Sequence, residues 1–260
     1  MAPTLSPFDY ALWVSSTLFQ WALFYLLVTN RLYRRLPFFS TYILLVLLGD
    51  ATVWWTYHSH GYASLASFWL SWTLQALTLG ARGLVVGELC YRVLRPYRGV
   101  WALAWRLLTG VGIALVVFAG LSSYSSRDRL MSFILTAERG LELAAAILLV
   151  LLLLISRYYR ITIPRPELLL IVSLCVWSLA QGVNDLVLVV RGNTFFEVWK
   201  KIRMTSYLAA LSGWVSAARR PVAAELPQPS MDAAQYKRVG ALVNVKLDEL
   251  NNRLLEIFKA

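Results

Sequence analysis

Charge is scarce in this sequence. Only 15% of its 260 residues are Asp, Glu, Lys or Arg, where a soluble domain holds about a quarter. Histidine and cysteine are scarcer still, two of each. His58 and His60 share one short stretch, which excludes a haem held between two helices, and a His-x-His pair without further ligands makes a poor metal site. No metal or cofactor is therefore expected. Cys90 and Cys175 fall inside apolar segments and read as small packing residues. Catalytic signatures are missing too: there is no Gly-x-Ser-x-Gly, no His-Glu-x-x-His, no cysteine with a histidine in reach, and no Walker or dinucleotide fingerprint. A Schiff-base photoreceptor needs a lysine near the middle of its last helix, whereas Lys200 and Lys201 open theirs. No basic residue precedes Arg31, so no cleavable signal peptide is expected and the first apolar segment should stay in the protein.

What is present is apolar: 58% of the chain, with 11 tryptophans. It comes in blocks of about 20 residues, the length a helix needs to cross about 30 Å of hydrocarbon. Seven such segments follow one another: 8–28, 37–57, 63–94, 103–121, a fifth from near Met131 to Ile155, 167–190 and 195–217. The expected fold is all-α, a polytopic membrane protein with seven transmembrane helices over residues 1–220. The third segment is too long for one perpendicular span and should tilt. Trp21 and Trp177 lie deep enough to be expected between helices.

The net charge of +11 is a topology signal. Residues 1–220 hold 20 Lys/Arg and 9 Asp/Glu, while residues 221–260 hold five of each. The excess sits in short loops, which argues against nucleic acid as a partner. Twelve of the loop cations, among them Arg31, Arg34, Arg35, Arg92, Arg95 and Arg157, fall on one side; Arg127, Arg129 and Arg191 fall on the other. By the positive-inside rule the twelve face the cytoplasm, placing the N-terminus outside and the C-terminus inside a bacterial plasma (inner) membrane. Membrane lipids are then obligatory partners.

Beyond Pro221 the composition changes. Residues 221–229 read as a Pro-containing linker, and 230–260 as a cytoplasmic amphipathic helix. Val243, Leu247, Leu250, Leu254 and Ile257 are spaced 4, 3, 4, 3, a heptad seam of about two heptads that suits a homodimer or another protein partner. It could instead lie on the membrane or dock under the bundle.

Polar residues inside apolar segments carry the functional signal, because a carboxylate at mid-bilayer costs roughly 2.5–3.5 kcal/mol on insertion scales. With the topology above, Asp50, the i,i+4 pair Glu138 and Glu142 with Arg139 beside them, the i,i+4 pair Gln181 and Asp185, and Lys200, Arg203 and Tyr207 all fall in the outer halves of their helices. The third segment adds a stripe, Ser71, Gln75, Thr78 and Arg82, at i, i+4, i+7 and i+11. Two readings remain open: a balanced internal ion-pair network that fixes helix order, or a pocket for a small ligand or ion. Glu88, with Arg92 at i+4, reads as a pair at headgroup level.

The run Arg31-Leu-Tyr-Arg-Arg-Leu-Pro37-Phe-Phe-Ser-Thr-Tyr42, with Arg95-Pro-Tyr-Arg-Gly99 and Glu138-Arg139, resembles a group of bacterial multi-pass membrane proteins of acidobacterial type. The likeness covers residues 8–220. It implies a seven-helix inner-membrane protein and brings no activity with it. The architecture also resembles the seven-helix sensor modules that precede bacterial signalling domains, without a kinase or cyclase domain in these residues. The function expected is receptor-like or accessory and non-enzymatic. A transporter or channel is the alternative, which the absence of an evident internal repeat disfavours. A membrane-embedded enzyme would have Glu88 as its one candidate carboxylate.

Overall fold

The computed structural model describes residues 7–61, 64–95, 98–124, 129–158, 161, 163–219 and 245, and no strand occurs among them. All the contacts below belong to the unit Met1–Pro221. The linker 221–229 and the heptad residues Val243, Leu247, Leu250, Leu254 and Ile257 lie outside the described residues.

Seven α-helices follow in order: α1 Pro7–Thr29, α2 Pro37–His60, α3 Leu65–Leu94, α4 Arg98–Ser123, α5 Arg129–Tyr158, α6 Arg165–Arg191 and α7 Phe196–Arg219. Their ends follow from local chemistry. Pro37 opens α2 at the position where a missing N–H costs least. Gly61 closes it at φ 81, a left-handed conformation that suits glycine, and its N–H reaches the Tyr57 carbonyl at 3.1 Å. Ser64 then caps α3 by accepting from the Ser67 N–H at 3.1 Å. Pro164 precedes α6, and Gly192, at φ 64, follows it.

Consecutive helices run antiparallel, and six of them close a ring. α1 lies on α7 and only lightly on α2; α2 packs on α3, α3 on α5, α5 on α6, and α6 on α7. α4 stands outside, against α5 and α3. Its outward residues Ile113, Val116, Val117 and Phe118 are exposed, as expected of a helix that faces lipid. Five helices are long and apolar enough to cross a membrane: α1, α2, α4 (over Ala104–Ser123), α5 and α6. This is the composition of an integral membrane protein. α3 and α7 have the length but carry Gln75, Arg82, Glu88 and Arg92, and Glu197, Lys200, Lys201 and Arg203.

One expectation about packing changes. Trp177 is buried between helices, but Trp21 is 57% exposed on the outer face of α1, where an indole meets lipid. Cys90 and Cys175 are buried free thiols.

Candidate functional site

The interior of the ring divides along its axis. Arg82 of α3 donates through Nη1 to Glu142 Oε1 of α5, both side chains buried. One turn away on α5, Glu138 accepts from Gln75 Nε2 at 2.7 Å and from Arg203 Nη2 of α7 at 2.6 Å. The two carboxylates predicted to share a face do so, each with its own arginine. Three helices are thereby tied together at one level.

α6 and α7 are joined by amides. Gln181 Nε2 donates to Ser206 Oγ at 2.8 Å, and Asn184 Nδ2 to the Trp199 carbonyl at 3.0 Å. Asp185 accepts from Trp199 Nε1 at 2.7 Å. Lys200 pairs with Asp9 at 2.9 Å and with Glu197 at 3.3 Å, fixing the start of α7 to the start of α1. Ser71 meets the Tyr57 hydroxyl at 3.1 Å, and Thr78 is half-buried on the same stripe. Arg139 is half-buried and forms no ion pair among the described residues.

Asp50 stands apart. No described cation lies within ion-pair distance of it, and its neighbour is the Gln20 carboxamide of α1. Gln20 in turn donates through Nε2 to the Tyr207 hydroxyl at 3.2 Å. Asp50 is exposed, although it shares a face of α2 with the buried Phe39, Ile43 and Leu47. Whatever covers those three no longer covers Asp50.

On the arginine-rich side of Arg82 the interior is aromatic and aliphatic. The guanidinium carbon of Arg82 sits 4.3 Å from the Trp177 ring centroid, a cation–π contact that partly offsets its burial. Trp177, Tyr207, Tyr42 and Phe39 all pack against Trp214, with centroids 5.5 to 6.3 Å away. Leu89, Leu149, Leu174 and Leu211 fill the space around them, each at most 2% exposed.

The central pair is bonded without being saturated. Arg82 Nε, Glu142 Oε2 and Ser178 Oγ are buried atoms with no hydrogen-bond partner, and so, elsewhere in the interior, are Gln20 Oε1, Ser40 Oγ, Gln181 Oε1, Asn184 Oδ1 and the indole nitrogens of Trp177 and Trp214. Ser178 faces the Glu142 carboxylate but falls short of hydrogen-bond geometry. Buried polar atoms are satisfied nine times in ten or more, by protein or by ordered water.

Glu88 has a different role from the pair predicted with Arg92. It is 7% exposed and accepts the backbone N–H groups of Phe38 at 3.2 Å and Phe39 at 2.9 Å. It thus caps the N-terminus of α2 from a neighbouring helix, where the macrodipole favours an anion. Arg92 turns instead to Glu167 at 2.6 Å and to the Arg35 carbonyl. Both groups thus take part in holding α2, α3 and α6 together.

Sequence reasoning overlooked Asp9, Gln20, Tyr42 and Trp214. Gln20 and Asp9 were visible as polar residues in an apolar segment. Trp214 and Tyr42 carried no signal, because aromatic residues are ordinary in such helices. No protein-family model, curated protein or solved structure matches the chain.

Proposed function

We propose that the chain is a receptor-like or accessory protein of a bacterial inner membrane. It crosses that membrane seven times, with its N-terminus outside, and holds a small ligand or ion in the polar outer half of its interior. The observation that carries this reading is the unsaturated Arg82–Glu142 pair beside Ser178. A purely structural ion pair in hydrocarbon gains most when its remaining lone pairs and protons are met by protein. Here free donors and acceptors from α3, α5 and α6 are left over at the pair, as a site for a polar guest requires.

Seven spans are supported by the faces of α3 and α7. At 30 and 24 residues they are about 45 and 36 Å long. Arg82 and Glu88 turn inward and are buried, while Leu77, Leu84 and Val198 are exposed. The exposure of Asp50 supports access from the outer side, and the Trp214 cluster supports closure on the inner side. That closure favours a receptor over a transporter. The helix expected over 230–260 would carry the response to a partner or a second copy through Val243, Leu247, Leu250, Leu254 and Ile257, a proposal that rests on their spacing alone.

The test is a thermal-shift screen of the purified protein against ions, lipids and metabolites. A ligand at 100 times its Kd should stabilise the protein by about 2.7 kcal/mol, and Glu142→Gln should abolish the shift. If Glu142→Gln and Ser178→Ala leave every ligand-dependent shift intact, the site is not there.

A further inference from the structure

We infer that Asp50 is a proton-binding site beside Gln20, which Tyr207 holds in turn, at the open side of the interior; this rests on the access to Asp50 proposed above. Asp50 is the fourteenth of the 24 residues of α2, about 20 Å along it, which is near mid-membrane for a spanning helix. The other acids described at this level have donors: Glu142 has Arg82, Glu138 has Arg203 and Gln75, and Asp185 has Trp199. Asp50 has a carboxamide.

Among the described residues the groups near it are neutral. α1 offers Gln20, α7 the Tyr207 hydroxyl bonded to Gln20, and α2 itself the Tyr42 hydroxyl two turns earlier. The cation on α3, Arg82, is engaged by Glu142 and lies against Tyr42, two turns earlier on α2. Exposed His58 stacks on Trp54, two turns beyond Asp50 in the other direction. An anion placed here has no counter-charge among the described residues.

The neutral acid fits better. Gln20 is 3% exposed and its Oε1 has no partner, so it lacks a donor. A protonated Asp50 supplies one: the carboxyl O–H donates to Gln20 Oε1. The amide Nε2 has two hydrogens, one for the Tyr207 oxygen and one for the Asp50 carbonyl oxygen. The carboxylate therefore takes up one proton from the open side and becomes a carboxyl group that completes the amide's bonding. When the proton leaves, Gln20 Oε1 loses its donor, and the contact between α1 and α2 weakens. Loading and release of one proton is thus coupled to the looser of the two seams that α1 makes.

The experiment is infrared difference spectroscopy of the protein in nanodiscs, titrated between acidic and alkaline buffer. The expected result is a protonated-carboxyl C=O band that titrates in the wild type, is absent in Asp50→Asn, and shifts in frequency in Gln20→Leu. An identical titrating band in wild type and Asp50→Asn overturns the proposal, as does a band displaced by sodium at constant pH, which would assign the site to a metal cation. Asp50→Asn keeps the shape of the side chain, and a wild-type melting profile for it confirms the fold. Labelling of a cysteine at position 50 from outside reports access by itself: labelling without a titrating band sinks the proton site and leaves the pocket standing.

Discussion

Arg82 and Glu142 are buried together, and the loss of either strands the other in a low-dielectric interior. Arg82→Met should therefore destabilise the protein by about 3–5 kcal/mol, whereas Arg82→Met with Glu142→Met should recover most of that loss. Denaturation of the four proteins in detergent as a double-mutant cycle checks the prediction. A second effect at the same scale concerns Glu88. Its carboxylate receives two N–H groups at the start of α2, so Glu88→Ala should cost about 1–3 kcal/mol. Arg92→Ala should cost less, because Arg92 is partly exposed and its bridge to Glu167 is screened. Melting temperatures of the two variants order the effects. The sequence displayed Glu138, Glu142 and Arg82 as costly residues, since a charge in an apolar run has few explanations. It could not pair them. Glu88 and Arg92 stand at i,i+4 and invite a local bridge, but the amides of α2 and the carboxylate of Glu167 compete better through the fold.

At the scale of helices, the seams depend on small residues. A Cβ on Gly213 of α7 would lie 2.8 Å from the Ser173 Cβ of α6, and one on Gly182 of α6 would lie 2.7 Å from a Leu143 methyl of α5. Close approach of this kind supplies much of the association energy between helices in lipid. Gly213→Leu should open the α6–α7 seam at a cost of about 1–3 kcal/mol. It should also loosen Gln181 from Ser206, visible as a lowered melting temperature and faster amide exchange in both helices. Apolar blocks placed the ends of α2, α3 and α6 within a few residues, and Pro37, Gly61, Ser64, Pro164 and Gly192 are the local groups that set them. The contrast between the five apolar helices and α3 and α7 was less readable. Hydrophobic runs mark spans that face lipid, and these two turn charged faces into the ring.

For the molecule as a whole, helix order around the ring decides which polar groups meet. Neighbours in sequence are mostly neighbours in space, but α1 returns to α7, and α3 skips α4 to reach α5. Those two contacts bring Asp9 to Lys200, Gln20 to Tyr207, Gln75 to Glu138 and Arg82 to Glu142. Hydrogen bonds also join polar residues of α5, α6 and α7. Depth could be counted from the sequence at 1.5 Å per residue. Azimuth could not, because a ring of six helices with a seventh outside has no signature in hydropathy. The outcome is an interior that is polar toward the Asp9 end and closed by Trp214 and its neighbours toward the arginine-rich end.

Access to that interior is the measurable centre of this account. In a Cys90→Ala, Cys175→Ala background, single cysteines at positions 50 and 211 are exposed to a membrane-impermeant thiol reagent, in intact cells and in inverted vesicles. Position 50 should react in intact cells, and position 211, where the native leucine is fully buried, should react from neither side. Reaction at 211 as fast as at 50, or reaction at 50 only in inverted vesicles, would contradict this.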